Sequence, residues 1–252
     1  MRYYVFYFCI KYRTMTLIKK RIVIAGGTSG IGLTTAKMLV EAGAEVVITG
    51  RDENKLKQAI AETGASSSSS AVDASNRAHL DVFFRDLASF DHLVITLSGG
   101  KGAGMFRELK LEELRLGFEG KFWPQLNCLQ AALPYINPEG SITLITAVSA
   151  SSRKPGFSGL AAINAGLEAM VPVLAKELQP LRINAISPGV IHTSWWDKYP
   201  EETRLNIFKQ FEESIPAGRI GAPEDVANAI LSMIRLDYVT GRILQIDGGL
   251  GL

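Results

Sequence analysis

The stretch RIVIAGGTSGIG, residues 21–32, decides how this chain is expected to fold. Its apolar, β-branched start predicts a buried strand over Ile22–Ala25, and four glycines follow at once. Glycines let the backbone turn tightly and approach a pyrophosphate, and the helix that starts there offers free N–H groups and the positive end of its dipole. A glycine-rich loop alone is also typical of a plain tight turn. Between a first strand and a helix, however, it predicts a phosphate cradle for a dinucleotide.

The rest of the chain alternates short β-rich runs with longer amphipathic stretches, which is typical of a parallel sheet covered by helices. We therefore predict an α/β fold: a single-domain, Rossmann-type, doubly wound parallel sheet of about seven strands with helices on both faces. The serine run at 66–70 is predicted to be a solvated loop that leads into the third strand. The predicted strands are Ile22–Ala25, Glu45–Thr49, Ser70–Val72, His92–Leu97, Ser141–Ile145, Arg182–Ile186 and Ile243–Ile246. The predicted helices lie near 30–42, 52–63, 76–88, 111–136, 157–179 and 223–235.

The composition is that of an ordinary globular protein, with 47% hydrophobic and 21% charged residues in a chain of 252. A net charge of +2 gives no long-range attraction to nucleic acid or to an anionic membrane, and neither is expected as a partner. Cys9 and Cys128 lie far apart and fit no metal-binding or redox spacing. We expect no metal site, inert thiols and a reducing, cytoplasmic location.

The first residues differ in character from the rest. The run YYVFYFCI at 3–10 is too short to span a bilayer and has no signal-peptide cleavage site. We predict that residues 1–14 form an extension outside the domain, which would cover 15–252. The alternative is an extra strand or a contact surface between subunits.

Further motifs lie at the ends of later strands. They are VDAS at 72–75, HLVITLSGG at 92–100, INAISPGVIHT at 183–193, GRIGAPEDVANAI at 218–230 and YVTGRILQIDGG at 238–249. Together with the glycine loop, in which Ala25 replaces a threonine, they resemble the short-chain dehydrogenase/reductase family over about residues 17–252.

The resemblance implies a nicotinamide cofactor, a small-molecule substrate and a homodimer or homotetramer. It implies an adenine contact at Asp73, and contacts with the nicotinamide carboxamide through the backbone of Ile191 and the side chain of Thr193. Thr96 and Ser98 occupy places where the family carries asparagines. The full set of expected cofactor-binding residues, apart from Arg51, is Gly26, Thr28, Ser29, Gly30, Ile31, Gly32, Asp73, Ala74, Thr96, Ser98, Gly99, Pro188, Gly189, Ile191 and Thr193.

The end of the second strand bears on the choice between NAD(H) and NADP(H). An acid there would bond the adenosine ribose and repel a 2′-phosphate, but this chain has Gly50 followed by Arg51. A guanidinium suits a phosphate through charge-assisted, bidentate hydrogen bonds. The sequence favours NADP(H); the alternative is that Arg51 is only a solvated residue at the start of a helix.

The proton-transfer residues that the resemblance implies are missing. The family's asparagine, serine, tyrosine and lysine align with Lys121, Ala147, Leu160 and Asn164. Neither leucine nor alanine can move a proton, and an asparagine carries no charge. Ser149 and Thr146 both lie close enough in sequence to stand in for the serine, but no tyrosine lies between Tyr135 and Tyr199.

Three other groups are candidate proton donors. A lysine desolvated in an apolar cleft has a lowered pKa, so Lys121 is a candidate acid, with Asn164 beside it; the alternative is that its stem extends to water. His192 follows the Pro188-Gly189 pair and titrates near neutral pH. Lys101 lies in the glycine-rich loop after the fourth strand.

The segment near 192–215 is expected to cover the substrate. Trp195 and Trp196 would form the roof of an apolar or aromatic site, or else pack against the core or a neighbouring subunit. The sequence leaves three functions open: an NADP(H)-dependent oxidoreductase acting on a small carbonyl or alcohol with a non-standard proton donor, a cofactor-binding protein without turnover (a sensor or assembly partner), and a lyase or isomerase on the same fold.

Overall fold

A seven-stranded parallel sheet organises residues 17–252, the part of the chain that this computed structural model describes. The strand order is β3-β2-β1-β4-β5-β6-β7, and every neighbouring pair runs parallel. The order reverses beside β1, so a crevice opens between the carboxyl ends of β1 and β4, where ligands bind in folds of this type. The strands are β1 Arg21–Ala25, β2 Glu45–Gly50, β3 Ser67–Ala71, β4 Phe90–Ile95, β5 Ile136–Ile145, β6 Arg182–Pro188 and β7 Ile243–Ile246. The extension predicted at 1–14 lies outside the described residues.

Eight α-helices cover the two faces of the sheet in this part of the chain. Each face of the sheet has its own hydrophobic cluster. Helices α1, α2 and α8 contribute side chains to one cluster, and α3, α5 and α6 contribute side chains to the other. The helices are α1 Gly30–Glu41, α2 Glu53–Thr63, α3 Arg77–Leu87, α4 Leu111–Gly117, α5 Trp123–Ala132, α6 Ser158–Glu177, α7 Glu201–Ser214 and α8 Pro223–Arg235.

Side-chain caps fix the starts of two helices, α2 and α3. The Asp52 side chain accepts from the backbone N–H groups of Asn54 and Lys55 at the start of α2, and the Asn76 side chain does the same for α3. The first strand is short and completely buried after Arg21. The fold class predicted from the alternation of β-rich and helical stretches is confirmed.

Three elements differ from the prediction. The serine run is a strand and not a loop, because Ser67–Ala71 pairs in parallel with β2 at the edge of the sheet. Polar side chains suit an edge strand that is exposed along one side. Helix α7 was not predicted, and the helix predicted over 111–136 is interrupted by a π-helical turn at Phe118–Phe122 and ends before β5.

Helix α6 is long and apolar enough, by length and composition, to cross a membrane. It packs instead on the sheet with Ile163, Leu167 and Val171 buried, and its buried stripe also carries the amide of Asn164. Within residues 17–252 no other helix meets the same criterion. These contacts are those of a helix that packs on the sheet along one side.

Candidate active site

The glycine loop after β1 has the geometry that a phosphate cradle requires. Gly26 and Gly30 adopt φ of 90° and 51°, a region that favours glycine. A Cβ added at Gly32 would overlap the carbonyl oxygen of Gly26 and lie 2.7 Å from Thr96 Oγ1. The loop is therefore as tight as the backbone allows, with the N terminus of α1 directly behind it.

The side chain of Thr96, which follows β4, is hydrogen-bonded to this loop. Its hydroxyl donates to the carbonyl oxygens of Ala25 at 3.0 Å and Gly26 at 2.9 Å. The hydroxyl proton of Thr96 therefore holds the cradle together, and the contact of Thr96 with the cofactor stays a prediction. Thr28, Ser29 and Ile31 lie in the cradle as predicted.

The end of β2 has no room for an acid. A Cβ at Gly50 would lie 2.7 Å from Cγ2 of Thr28, so the Thr28 side chain occupies the space that an acidic side chain would need. Arg51 follows and is exposed. The carboxyl end of β2 therefore presents a glycine followed by an exposed arginine.

Asp73 lies across from Arg51 at the end of β3. Its Oδ1 accepts from the backbone N–H and the hydroxyl of Ser75, and these bonds hold its pKa below the usual value, with a smaller contribution from the charge of Arg51. The neighbouring Ala74 is buried, and its carbonyl accepts from Asn127 Nδ2. Asp73 is thus a fixed carboxylate at the place predicted for adenine contact.

The motif after β6 lies beside the cradle. Gly189 packs so closely on Asp247 that a Cβ would lie 2.8 Å from its Cα. Ile191 is buried and pairs with Gly221, while Thr193 lies against Gly30. Pro188, the last residue of β6, thus leads into a segment that faces the glycine loop, as predicted.

The Thr193 side chain has a local partner. Its hydroxyl oxygen accepts from the Trp195 N–H at 3.4 Å and so caps a 3-10 turn over Ser194–Lys198. At the end of β4, Ser98 is exposed, and Gly99 packs against the backbone of Gly120.

Lys121 is buried at 9% relative exposure, on the π-helical turn between α4 and α5. Its Nζ donates to the carbonyl oxygen of Thr146 at 2.9 Å. Burial lowers the pKa of this amine to about 8, and the charge of Glu168 opposes part of that shift. The alternative in which Lys121 extends to water is therefore wrong.

Glu168 is a residue of this site that the sequence reasoning missed. Its Oε1 accepts from Thr146 Oγ1 at 2.7 Å and from Ser187 Oγ at 2.8 Å. The signal was present in the spacing, because residue 168 is one turn beyond Asn164 and two beyond Leu160 on the stripe of α6 that faces the sheet. An acid on an inward stripe predicts a polar network.

Asn164 lies in the same buried region. Its Nδ2 donates to Ser149 Oγ at 3.0 Å and to the carbonyl oxygen of Leu160 at 2.9 Å. Its Oδ1 is buried and has no hydrogen-bond partner. Ser149 therefore contacts α6, and one acceptor on Asn164 is free for a ligand or a water molecule.

Lys101 and His192 have other neighbours. The His192 ring lies edge-on to Phe208 of α7 with 5.3 Å between centroids, and Lys101 Nζ forms an ion pair with Glu113 at 2.8 Å. Within the described residues, no hydrogen bond joins either group to Lys121 or Asn164. Lys121 and Asn164 both bond to the segment that follows β5, at Thr146 and Ser149, whereas His192 lies against α7.

The predicted covering segment consists of the turn at Ser194–Lys198 and α7. Trp196 packs edge-on against Phe208 and donates from Nε1 to the carbonyl of Ile191 at 3.0 Å. Trp195 is 36% exposed, and its Nε1 donates to the carbonyl of Gly99 at 3.3 Å. Trp196 therefore belongs to the packing of the segment, while Trp195 reaches across to the loop after β4.

Metal binding and thiol chemistry each depend on particular side chains. No group of three or more histidine, cysteine, aspartate or glutamate side chains within residues 17–252 is arranged to hold a metal ion. Cys128 is buried, and burial raises the pKa of its thiol to about 12, so it is an inert thiol as predicted. Cys9 lies outside the described residues.

Known proteins are similar to this chain in sequence. The family profile described as "Enoyl-(Acyl carrier protein) reductase" matches residues 25–251. A 3-oxoacyl-(acyl-carrier-protein) reductase of Thermotoga maritima is 30% identical over 257 residues, covering 94% of this chain and 99% of the relative. A 3alpha-hydroxysteroid dehydrogenase of Mediterraneibacter gnavus is 28% identical, with 93% and 98% covered.

Solved structures show the same likeness. A small-chain dehydrogenase in complex with NADPH superposes with a TM-score of 0.82 at 31% identity, covering 92% of this chain and 98% of the other. The MalC reductase/Diels-Alderase from Malbranchea aurantiaca superposes with a TM-score of 0.84 at 26% identity, with 93% and 96% covered. The chain belongs to the short-chain dehydrogenase/reductase family of oxidoreductases.

Proposed function

We propose that this protein is an NADP(H)-dependent oxidoreductase that interconverts a small carbonyl compound and its alcohol. The observation that carries the cofactor assignment is the end of β2, where Thr28 fills the space of an acid and Arg51 follows. A similar structure was solved in complex with NADPH, which supports the same choice.

The residues of this chain would bind the cofactor at two places. The glycine loop, the start of α1 and Asp73 would hold the phosphates and adenosine, and the segment from Pro188 to Thr193 would hold the nicotinamide end. When bound, the cofactor supplies the hydride that reduces the carbonyl carbon.

The proton for the carbonyl oxygen would come from Lys121. A buried amine with a pKa near 8 gives up its proton more readily than a solvated one, and it is charged at neutral pH. Its positive charge would also stabilise the alkoxide that develops as the hydride arrives. After the transfer, Lys121 is neutral, which burial favours, and it regains a proton from solvent.

A second function has its own supporting observation. The Lys121 ammonium is already bonded to the Thr146 carbonyl inside the fold, and Leu160 and Ala147 have no proton to give. Under this alternative the protein binds NADP(H) without turnover, as a sensor or an assembly partner would.

Two measurements in sequence separate these functions. Calorimetry with NADPH and NADH tests cofactor binding, and loss of NADPH absorbance with a panel of small aldehydes and ketones tests turnover. We expect NADPH to bind more tightly, and reduction rates to fall as pH rises through about 8. In Lys121→Met the rate should drop about a hundredfold or more, while the exposed-lysine variant Lys55→Met keeps it.

Each contrary outcome has a distinct meaning. Tight NADPH binding with no turnover on any compound supports the non-catalytic alternative. An unchanged rate in Lys121→Met removes Lys121 as the donor, and absence of NADPH binding overturns both functions.

The remaining parts of the proposal concern assembly and location. We propose a homodimer or homotetramer in the cytoplasm, acting on a small-molecule substrate. Exposed apolar side chains on the helices of one face, Leu111, Leu116, Trp123 and Val173, support assembly. Light scattering coupled to size exclusion measures the mass directly, and a monomer at micromolar concentration would contradict the oligomer.

A further inference from the structure

The covering segment folds over the loop that follows β4. We call the 3-10 turn Ser194–Lys198 the lid turn. Trp195 Nε1 donates to the Gly99 carbonyl, and Lys198 Nζ lies 3.3 Å from the position that a Cβ of Gly100 would take. Gly99 in turn packs against Gly120, the residue before Lys121. The Lys198 ammonium therefore lies over the glycines that border the proposed reaction site.

Lys198 has aromatic neighbours in place of an acid. Its Nζ lies 3.4 Å from the centroid of the Trp195 ring and 5.2 Å from that of Tyr199. Within residues 17–252, no carboxylate lies within ion-pair distance of it. Cation–π contacts hold the ammonium in place without neutralising its charge.

The acid within the lid turn and the acid beside Lys101 each have a partner. Asp197 pairs with Arg204 at 2.6 Å, and Glu113 pairs with Lys101 at 2.8 Å. Partial burial and the nearby charge of Lys101 both lower the pKa of Lys198. One unit of positive charge thus remains over the loop after β4.

A single uncompensated ammonium beside aromatic rings matches one kind of ligand group. We propose that the lid turn binds a carboxylate on the substrate through Lys198, so that the substrate is an oxo acid or hydroxy acid with an apolar or aromatic body. A monoanion balances the one free charge, whereas a phosphate dianion would exceed it. This inference rests on the proposed oxidoreductase function for its substrate class, but the binding site is independent of turnover.

Binding to the NADPH-loaded protein tests the site without requiring a reaction. The probes are phenylglyoxylate and 1-phenyl-1,2-propanedione, which share a phenyl ketone and differ in a carboxylate against an acetyl group. We expect phenylglyoxylate to bind about tenfold to a hundredfold more tightly, as a charge-assisted hydrogen bond would give. The preference should decrease with added salt, because the site is partly exposed.

Variants assign the preference to one side chain. Lys198→Met should abolish it and Lys198→Arg should keep most of it, while the matched control Lys209→Met, an exposed lysine on α7, should leave it unchanged. Because each variant is compared on both probes, a general loss of lid structure would weaken both and would not mimic the expected result.

Several outcomes overturn the inference. These are equal affinity for the two probes, no binding of either at millimolar concentration, tighter binding of phenyl phosphate than of phenylglyoxylate, or a loss of NADPH affinity in Lys198→Met, which would assign the ammonium to the cofactor. A carboxylate preference without NADPH oxidation would instead support this site and count against the proposed reaction alone.

Discussion

The carboxyl edge of the sheet has two halves that differ in how they would contact a ligand. At the ends of β1 to β3 the cradle consists of backbone N–H groups and glycines, and it keeps the glycine spacing of the family motif, with Ala25 in place of a threonine. At the ends of β4 to β6 the family uses side chains, and here those positions hold Lys121, Ala147, Leu160 and Asn164. The backbone half follows the family pattern, and the side-chain half has been replaced.

This difference shows which part of a family resemblance transfers to a new chain. A backbone cradle depends only on where small residues let the chain turn, so the motif and the geometry go together. A side-chain site depends on residue chemistry, and a new set of side chains makes a new network, here Lys121, Thr146, Glu168 and Ser187.

The largest effect is expected from adding one methyl group to the cradle. In Gly32→Ala the Cβ would overlap the Gly26 carbonyl and lie 2.9 Å from the Gly27 Cα, and backbone atoms cannot yield as a flexible side chain can. We expect NADPH affinity, measured by calorimetry, to fall by up to about a hundredfold, since overpacking costs about 1–3 kcal/mol.

The same change in the other half provides the control. In Gly120→Ala the new Cβ would meet Gly99 Cα at 3.7 Å, an ordinary contact. NADPH affinity should change less than threefold, roughly the spread of a neutral surface change. A larger loss in Gly120→Ala than in Gly32→Ala would contradict the division of the site into two halves.

The part of the fold that sequence alone predicted is the part set by local pattern. Apolar runs and glycine spacing placed six strands and the cradle. Helix α7 was missed because only Phe208 of its fourteen residues is buried, so it has no apolar stripe to detect. The third strand was misplaced because serine has low strand propensity, and only pairing with β2 puts Ser67–Ala71 in the sheet.

The site shows the same limit. Thr96 was assigned to the cofactor because its place in the motif is known, but the direction of its hydroxyl depends on the carbonyl oxygens of Ala25 and Gly26. The His192 ring turns to Phe208, a residue of the helix that was not predicted. Side-chain direction follows from tertiary packing, which no local motif contains.

The second prediction tests whether Lys121 is charged inside the fold. Burial lowers its pKa from 10.5 to about 8, whereas the unfolded chain keeps the ordinary value. Between about pH 8 and 10.5 the unfolded chain therefore holds a proton that the folded protein has released, and the free energy of unfolding rises with pH across that window. Below about pH 8, burying the charged amine lowers stability by roughly 3 kcal/mol.

Lys121→Met keeps the length of the stem and removes the amine. At pH 7 we expect it to be more stable than the parent in urea unfolding, by up to about 3 kcal/mol. The parent should approach the variant as pH rises from 8 to 10.5. Lys55→Met, at an exposed position on α2, should track the parent at every pH. Parallel curves for the parent and Lys121→Met would mean that the amine titrates as a solvated lysine does.

The third prediction returns to the cradle and concerns cofactor choice. Arg51→Ala should reduce NADPH affinity about tenfold to a hundredfold, because a charge-assisted phosphate contact contributes about 1.5–3 kcal/mol. NADH affinity should stay the same, since NADH lacks the 2′-phosphate. Calorimetry with both cofactors checks this, with Arg107→Ala, an exposed arginine in the loop before α4, as the matched control. Equal affinities for NADPH and NADH in the parent would remove the basis for the prediction.

The smallest effect is expected from putting the family's side chains back. The variant Ala147→Ser, Leu160→Tyr, Asn164→Lys restores the residue types but not their surroundings. Asn164 is 3% exposed and bonded to Ser149, and a lysine there would add a second ammonium close to Lys121, where burial already disfavours one. We expect the rate of NADPH oxidation on a substrate of the parent to rise less than about fivefold, near 1 kcal/mol in barrier.

Adding Lys121→Asn to that variant separates the two explanations of a small gain. If the clash of charges limits the restored set, this fourth change should raise the rate well above that of the triple variant. A hundredfold gain in the triple variant alone would show that Lys121 neither competes with the restored lysine nor compensates for its loss. The side-chain half would then have lost the family's residues without compensation. The network that contains Lys121 and Glu168 would not be a functional replacement for them.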